Sequence, residues 1–219
     1  MKEVSLRGLA STATFDNRRV RMTASDRRLQ ILAVAAELFS QRGFNGTTTK
    51  EIAKKAGVSE AVIFKHFATK GDLYSATLDY KAQEAVGQIW TRSLEAMKRK
   101  DDEAFFELLA AEILAFHQRD ATLLRLLYYC ALEGHDLAER FYFTTVKEAR
   151  ERIASYIAAR IADGDFRRCD PDTAARLFLG LVGHCAVTRE LFRWSDVRST
   201  SIETAASEIV SVYLHGLKA

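Results

Sequence analysis

The chain has 219 residues, of which 48% are apolar and 28% are charged, a globular composition that excludes wholesale disorder. No stretch of about 18 residues is both apolar and uncharged, so we expect no membrane-spanning helix and no membrane partner. Residues 1–22 lack the sustained apolar run of a secretory signal. Three irregularly spaced cysteines fit reduced thiols in the cytoplasm better than disulfides or a metal site.

The net charge of +3 is unremarkable, but basic residues are concentrated in the first third of the chain. Residues 1–24 carry five basic and two acidic groups, residues 25–72 carry eight and five, and the remaining 147 residues sum to −3. This asymmetry is typical of a module that faces nucleic acid, attached to a regulatory body. Residues 1–24 are interpreted as a mobile basic arm, which is either a solvated tail or adds phosphate and minor-groove contacts.

Caps and apolar periodicity predict nine helices, which begin and end near residues 25–42, 49–56, 60–67, 69–99, 102–119, 120–133, 136–162, 171–192 and 201–217. We expect Ser25, Asp120 and Asp170 to be the N-caps of the first, sixth and eighth helices. A capping box between Thr69 and Asp72 opens the long fourth helix directly after the third. No flexible linker therefore separates the first three helices from the fourth.

Residues 47–72 have the pattern of a helix-turn-helix. Thr48 and Glu51 form a capping box at the start of the second helix. Gly57 follows its end, where a left-handed residue is favoured, and Ser59 is the next N-cap. A capped helix after such a turn is the arrangement that places its second helix in a DNA major groove.

The stretch 43–73, GFNGTTTKEIAKKAGVSEAVIFKHFATKGDL, resembles the DNA-binding domain of the TetR family of bacterial transcriptional regulators. The resemblance is carried by the pairs or runs at 43–44, 47–48, 52–53, 56–59 and 64–67 and by the lysine at position 70. It implies an all-α fold with a three-helix DNA-binding head and a six-helix body for ligand binding and dimerisation. The expected units are the arm at 1–24, the head at 25–71 and the body at 72–219.

The resemblance implies that double-stranded DNA, in the form of a palindromic operator, is bound by Thr47, Thr48, Ser59, Glu60, Ala61, Val62, Phe64, Lys65, His66 and Lys70. Thr47, Thr48 and Lys70 match family positions that face phosphate. Lys65 is the candidate for reading guanine, and Glu60 either accepts from cytosine or favours the helix N-terminus.

Two positions depart from the usual family pattern. Phe64 stands where the family commonly has a tyrosine, so its phosphate-binding hydroxyl is missing. Val62 stands where a threonine is common, which favours apolar contact with a thymine methyl group. The alternative interpretation of the third helix is a helical hairpin without any role in nucleic-acid binding.

The resemblance also implies an apolar cavity in the body for a small apolar or aromatic effector. The aromatic and polar candidates for its lining are Trp90, Phe105, Phe116, His117, Tyr128, Tyr129, Tyr142 and His184. The alternative for each of them is a place in the hydrophobic core, and the sequence does not identify the effector.

The last two large helices carry long apolar stripes. The candidates for a dimer interface are Leu177, Phe178, Leu181, Cys185, Ile202, Ala206, Ile209 and Tyr213. Gly180 and Gly183 permit close helix approach, and the resemblance favours a four-helix interface about a two-fold axis. The alternative is that both stripes pack inside one subunit.

Sequence motifs for catalysis, cofactor binding and metal binding are not found, so we expect no enzyme, no catalytic residue, no cofactor and no metal. The chain is interpreted as a cytoplasmic, homodimeric, TetR-like repressor that a small molecule releases from its operator. The alternatives are a ligand-binding protein that no longer binds DNA, a TetR-like activator and a helical enzyme.

Overall fold

The computed structural model describes residues 22–90, 92–134 and 146–217, in which the regular elements are all helices. These are α1 Ala24–Arg42, α2 Thr49–Ala56, α3 Glu60–His66, α4 Lys70–Ile89, α5 Ser93–Lys98, α6 Asp102–Arg119, α7 Thr122–Leu132, α8 Lys147–Asp163, α9 Pro171–Glu190, α10 Ser195–Ser199 and α11 Ile202–His215. The all-α prediction is confirmed. Within the described ranges, none of the helices is long and apolar enough to cross a bilayer.

Local side-chain chemistry sets the starts of the head helices. The predicted capping boxes at Thr48 and Thr69 are both present, and Gly57 has the left-handed conformation expected after α2, with φ 66°. The predicted N-cap Ser25 is corrected to Thr23. The Thr23 hydroxyl accepts from the Asp26 N–H, and the Asp26 carboxylate accepts from the Thr23 N–H. This complete capping box starts α1 earlier than expected.

The predicted fourth helix is two helices. Its first part, α4, ends at Ile89, and α5 begins at Ser93. The Glu112 carboxylate on α6 accepts from the Arg92 N–H at 2.7 Å and from the Ser93 hydroxyl at 3.1 Å. A side chain distant in sequence therefore provides the hydrogen bonds that a new helix start needs, which a periodicity pattern cannot reveal.

Two other elements differ from the prediction. The helix α7 begins at Thr122, and Asp120 is not its N-cap residue; the Asp120 carboxylate accepts from the Thr122 N–H at 2.9 Å. The loop predicted at 193–200 contains the short helix α10. The predicted start of the seventh helix falls at 135–145, outside the described residues, and α8 is described from Lys147 onwards.

The core of the head continues into the body. Residues of α1 to α4 share one buried cluster with Phe116, Leu123, Leu126 and Cys130 of α6 and α7. Tyr74 lies fully buried at its centre, with its ring edge-on to Phe39 at 4.7 Å between centroids. Its hydroxyl donates to the Leu126 carbonyl at 2.9 Å. Packing along α4 therefore joins the three-helix head to α7.

A second buried cluster forms the core of the body around α6. The Phe106 ring is edge-on to Phe178 at 4.9 Å and to Tyr213 at 5.2 Å, which joins α6 to α9 and α11. At the edge of this core, Asp102 accepts from the Tyr156 hydroxyl at 2.6 Å and from Arg160 Nε at 2.8 Å. These contacts fix α8 against the start of α6.

The end of α7 lies directly against the turn between α1 and α2. The Glu133 carboxylate accepts from the Phe44 N–H at 2.9 Å and from the Asn45 N–H at 3.3 Å. The Tyr129 hydroxyl donates to the Gln41 carbonyl at 3.2 Å. Backbone amides that are buried or half-buried need hydrogen-bond partners. The contact with α7 provides these partners for the N–H groups of the turn and attaches the turn to the body.

Gly43 makes this close approach possible. Its φ of 73° with ψ 178° is a backbone conformation that is open essentially to glycine alone. A Cβ atom at this position would lie 2.5 Å from Glu133 Oε1 and 2.9 Å from the Tyr129 ring. The backbone therefore requires glycine, and a Cβ atom would also displace the Glu133 carboxylate and the Tyr129 ring from the turn.

We expect Gly43→Ala to lower the free energy of unfolding by about 3 kcal/mol, because backbone strain adds to the overlap with α7. Gly57→Ala is the matched control: it meets only the left-handed strain, since no atom lies within 4 Å of its Cβ position, and is expected to cost about 1 kcal/mol. Urea unfolding followed by circular dichroism measures both. Equal losses in the two variants would contradict the close approach at Gly43.

We expect Glu133→Gln to lower the free energy of unfolding by about 1–2 kcal/mol, because the amide has one acceptor oxygen for two N–H donors. Glu107→Gln, the same change at a partly buried position within α6, provides the control and is expected to have an effect below about 0.5 kcal/mol. The same urea titrations measure both, and hydrogen exchange at the Phe44 and Asn45 amides should rise only in Glu133→Gln. Unchanged exchange there would contradict the contact.

Candidate functional site

The outer face of α3 carries side chains that the head core does not use. Ile63 and Phe67 point into the core, whereas Ala61, Phe64 and Lys65 are exposed. The Phe64 ring is 47% exposed, which is unusual for a large apolar side chain. The face therefore offers one cation beside an apolar ring, a combination suited to phosphate or guanine and to a thymine methyl group.

Other predicted residues of α3 are partly engaged in the head. The Thr49 hydroxyl donates to the Glu60 carboxylate, which connects the starts of α2 and α3. Val62 and His66 are half-buried, and Val62 packs against the head core. Ser59 is exposed and occupies the N-cap position, but its side chain makes no capping hydrogen bond.

The prediction that the Thr47 side chain faces DNA is corrected. Thr47 is fully buried, and its hydroxyl donates to the carbonyl oxygens of Leu38 and Gly43 at 3.3 Å and 2.9 Å. Its role is to hold the turn before α2. Thr48 is exposed, but its hydroxyl is engaged in the capping box, where it donates to Glu51 at 2.8 Å.

Lys70 is the first residue of α4 and lies beside the turn between α1 and α2. Its Nζ atom is 4.2 Å from the centroid of the Phe44 ring, a cation–π contact. Burial lowers the pKa of Lys70, and the nearby carboxylates of Glu133 and Glu51 oppose this effect. Lys70 is thus held in place at a helix N-terminus, where free N–H groups and a cation together favour an anion.

Sequence reasoning missed the residues that support Lys70. The sequence predicts Phe44 only as part of the resemblance and of the head core, against which it does pack, and does not single out Glu133. The two are 89 residues apart and join through the hydrogen bond from the Phe44 N–H. No local signal marks such a contact, although the glycine before Phe44 indicates a turn with special backbone needs.

An apolar cavity of about 220 Å³ lies among α4, α6, α7, α8 and α9. Two of the predicted effector residues, Trp90 and His117, are in its lining. The other lining residues are Ala85, Val86, Ile89, Leu109, Ile113, Leu123, Leu124, Leu127, Val146, Ala149 and Leu179. Since α4 provides three lining residues and Trp90 directly follows its end, a molecule in the cavity would contact the helix that begins at Lys70.

The remaining predicted effector residues do not line this cavity. Phe105 and Phe116 are buried core residues, Tyr128 is exposed, and Tyr129 contacts the head instead. His184 lies in a groove between α9 and α11. Tyr142 lies outside the described residues. Aromatic residues at helical spacing are thus divided between core, surface and cavity by packing alone.

His117 differs from the other residues of the cavity lining in its hydrogen bonding and in its pKa. Its Nδ1 atom is buried and has no hydrogen-bond partner among the described residues. Burial lowers the pKa of His117 to about 4, although the Asp120 carboxylate opposes the shift. Asp120 is itself paired with Lys81 of α4 at 2.6 Å. Burial alone would lower the pKa of Lys81, but its hydrogen bonds to Asp120 and Glu84 outweigh burial and raise it.

The outer surface of α9 and α11 carries several exposed apolar side chains. Leu177 is 60% exposed and Val212 74% exposed, and Leu181 is exposed between them along a groove of about 720 Å³. A Cβ atom at Gly180 or Gly183 would meet no atom within 4 Å. Exposed apolar side chains along a groove are the kind of surface that marks a protein–protein interaction site.

The predicted dimer residues divide between this surface and the subunit core. Phe178, Ile202, Ala206 and Tyr213 are corrected to core positions, because all four are buried within one subunit. The Tyr213 hydroxyl donates to the Ala174 carbonyl at 2.8 Å, which fixes α11 against α9. Leu177 and Leu181 remain at the surface, and the partly buried Cys185 and Ile209 line a smaller groove of about 370 Å³ beside it.

Comparison with known proteins agrees with this architecture. Residues 31–77 match the model of the tetR family of bacterial regulatory proteins, and residues 105–216 match that of the AefR-like transcriptional repressor C-terminal domain. The transcriptional repressor KstR2 of Rhodococcus jostii is 30% identical over 198 residues, which cover 88% of this chain and 92% of that protein. The transcriptional activator FasR of Mycolicibacterium smegmatis is 33% identical over 108 residues, which cover 47% of this chain and 49% of FasR.

Solved structures share the fold. A TetR-family regulator from Mesorhizobium loti superposes with a TM-score of 0.72 at 23% identity, over 90% of this chain and 100% of that one. AibR in complex with isovaleryl coenzyme A and operator DNA gives a TM-score of 0.66 at 20% identity, over 85% and 97% of the two chains. The resemblance seen in residues 43–73 is confirmed, and it extends over both head and body: the chain belongs to the TetR family and is a DNA-binding transcriptional regulator.

Proposed function

We propose that the protein is a homodimeric repressor in the cytoplasm that binds a palindromic operator through α3 and leaves it when a small molecule occupies the cavity. The observation that carries this proposal is the course of α4. It begins at Lys70, one tight turn after the exposed face of α3, and its last turns line the cavity. The similarity to the repressor KstR2 supports repression, and the solved complex of AibR with isovaleryl coenzyme A and operator DNA supports a ligand on this fold.

At the operator, α3 enters the major groove and α2 crosses the backbone. Lys65 reads guanine, and Phe64 packs against a thymine methyl group or a sugar, because it has no hydroxyl for phosphate. Lys70 and the first N–H groups of α2 contact phosphates. Glu60 is the weakest of the base-reading candidates, since its carboxylate is already bound by the Thr49 hydroxyl.

Release requires the effector to bind the arrangement that does not fit DNA more tightly than the one that does, typically by about 1–3 kcal/mol. The cavity can transmit this difference in two ways. It contacts the end of α4 through Ala85, Val86 and Ile89, and the start of α7 through Leu123 and Leu127. Both helices reach the head, α4 at Lys70 and α7 through Glu133.

We expect the two lysines of the DNA-binding surface to differ in what they contribute. Lys65→Ala should reduce the preference for operator over random DNA by about 1–3 kcal/mol, because a base contact is lost. Lys70→Ala should weaken binding to both DNAs alike and reduce the slope of log K against log salt by about one, because a phosphate contact is lost. Fluorescence anisotropy with operator and random duplexes over a salt series measures both.

Lys98→Ala is the control for these titrations, since Lys98 lies on α5 of the body and is paired with Glu95 at 2.7 Å in the same helix. It should bind both duplexes like the wild type. Wild-type affinities in both Lys65→Ala and Lys70→Ala would rule out this face as the DNA-binding surface.

The dimer is proposed to form across the exposed face of α9 and α11. The apolar side chains of Leu177, Leu181 and Val212 would be covered by the same residues of a second copy about a two-fold axis. The open space at Gly180 and Gly183 lets the facing helices approach closely. Two heads held by one such interface can reach half-sites that are about one helical turn apart.

We expect Leu181→Asp to convert the dimer into a folded monomer at micromolar concentration, because the charge would be buried unpaired at the interface. Operator affinity should fall by about 100-fold or more, since the two half-sites are no longer bound together. Sedimentation velocity and circular dichroism measure assembly and folding. Leu132→Asp, at an exposed leucine of α7 away from this face, should remain dimeric. A dimeric Leu181→Asp would refute the interface.

A further inference from the structure

The cavity among α4, α6, α7, α8 and α9 has a chemistry that restricts what can occupy it. Among the described residues that line it, only His117 and Trp90 carry a polar side-chain atom, and all the others are aliphatic. Of the charged side chains nearby, Lys81 is paired with Asp120. The guanidinium of Arg152 lies over the Trp90 ring, with Cζ 4.8 Å from the ring centroid, and 3.5 Å from the Glu148 carboxylate. The lining therefore offers apolar contact and very few hydrogen bonds.

From this cavity and the unpartnered Nδ1 atom of His117 we infer the class of the effector: a compact, largely apolar molecule with a single uncharged hydrogen-bonding group, a hydroxyl or a carbonyl, that pairs with His117. The inference rests on the proposed function, since it names the class of molecule that occupies the proposed effector cavity.

His117 is assigned this role because its position is unfavourable without a ligand. A buried polar atom that lacks a partner loses its hydrogen bonds to water and gains nothing in return. Other polar groups around the cavity are satisfied, such as Asp120, which accepts from Lys81 at 2.6 Å and from the Thr122 N–H at 2.9 Å. Since Nδ1 has almost no accessible surface, the imidazole would have to turn toward the cavity for a ligand oxygen to supply the missing partner.

The uncharged state of the ligand follows from the surroundings of His117. Burial lowers the pKa of His117 to about 4, so the imidazole is neutral near pH 7 and offers no charge to a carboxylate. None of the described lining residues carries a charge, so beside them an anion would be desolvated without a counter-charge, which is far less favourable than burying a hydroxyl. A cation would face the same difficulty, because no described lining residue carries a carboxylate.

The volume limits the ligand to a small molecule. An apolar protein cavity of about 150 Å³ accommodates benzene, so 220 Å³ accommodates about nine non-hydrogen atoms. This is below the range of about 300–1,000 Å³ that is typical for drug-sized ligands. The expected body is one aromatic or alicyclic ring with a short substituent, or a branched aliphatic chain of similar size.

Three probes that fit this size limit test the class on the wild-type dimer by isothermal titration calorimetry at pH 7: benzyl alcohol, toluene and benzoate. The alcohol is expected to bind about fivefold to tenfold more tightly than the hydrocarbon, because one buried hydrogen bond is gained. The carboxylate is expected to bind more weakly than the alcohol. Tighter binding of the carboxylate, equal binding of alcohol and hydrocarbon, or no binding of the alcohol at millimolar concentration would each overturn the inference.

Variants assign the preference to His117. His117→Leu should bind alcohol and hydrocarbon equally, with hydrocarbon affinity retained, whereas His117→Asn should keep part of the preference because it can still form a hydrogen bond. His215→Leu, at an exposed histidine near the end of α11, is the control and should match the wild type. An unchanged preference in His117→Leu would overturn the assignment. If that variant does not fold, the wild-type comparison of the three probes still decides the class.

The DNA titrations keep this inference separate from the proposed function. A protein that binds operator with the expected salt dependence but shows no preference for the alcohol overturns only the effector class. A protein that binds the alcohol but shows no salt-dependent affinity for DNA overturns the proposed function and leaves the chemistry of the cavity as inferred.

Discussion

The packing of α4 along its whole length is the constraint on which the rest of the structure depends. Its first residue, Lys70, lies against the Phe44 ring at the proposed DNA-binding surface. Its second turn places Tyr74 in the head core, where the hydroxyl is bound to the backbone of α7. Further along, Lys81 is paired with the junction between α6 and α7, and the last turns line the cavity. Because contacts along its whole length involve several different helices, α4 can shift only if several of these contacts change together.

The contact at Glu133 gives α7 a similar position between cavity and head. Its first turns present Leu123, Leu124 and Leu127 to the cavity, and its C-terminal end holds the turn at Gly43. Head and body therefore share two rigid helices, and a small molecule that separates or rotates these helices acts on both at once. Coupling between cavity and head requires that the packed helices have two alternative arrangements. A flexible linker between head and body would let the body change without moving the head.

The sequence predicts a DNA-binding surface but could not decide the role of each residue on it. A threonine hydroxyl can bond outward to phosphate or inward to the backbone, and only the fold shows that Thr47 does the latter. The same holds for the apolar stripes of α9 and α11. Their spacing is equally compatible with a core and with an interface, and the position of Phe106 decides that Phe178 and Tyr213 belong to the core while Leu177 and Leu181 stay outside.

By itself the sequence determined the elements that depend on local chemistry: the capping boxes at Thr48 and Thr69, the left-handed Gly57 and the direct join between α3 and α4. These involve residues within a few positions of one another, so a pattern in the chain is sufficient. The tertiary structure alone decided the break after Ile89, the support of Lys70 by Phe44 and Glu133, and the place of His117 in a cavity. Each of these depends on side chains distant in sequence, since burial and hydrogen-bond partners are set by packing between helices.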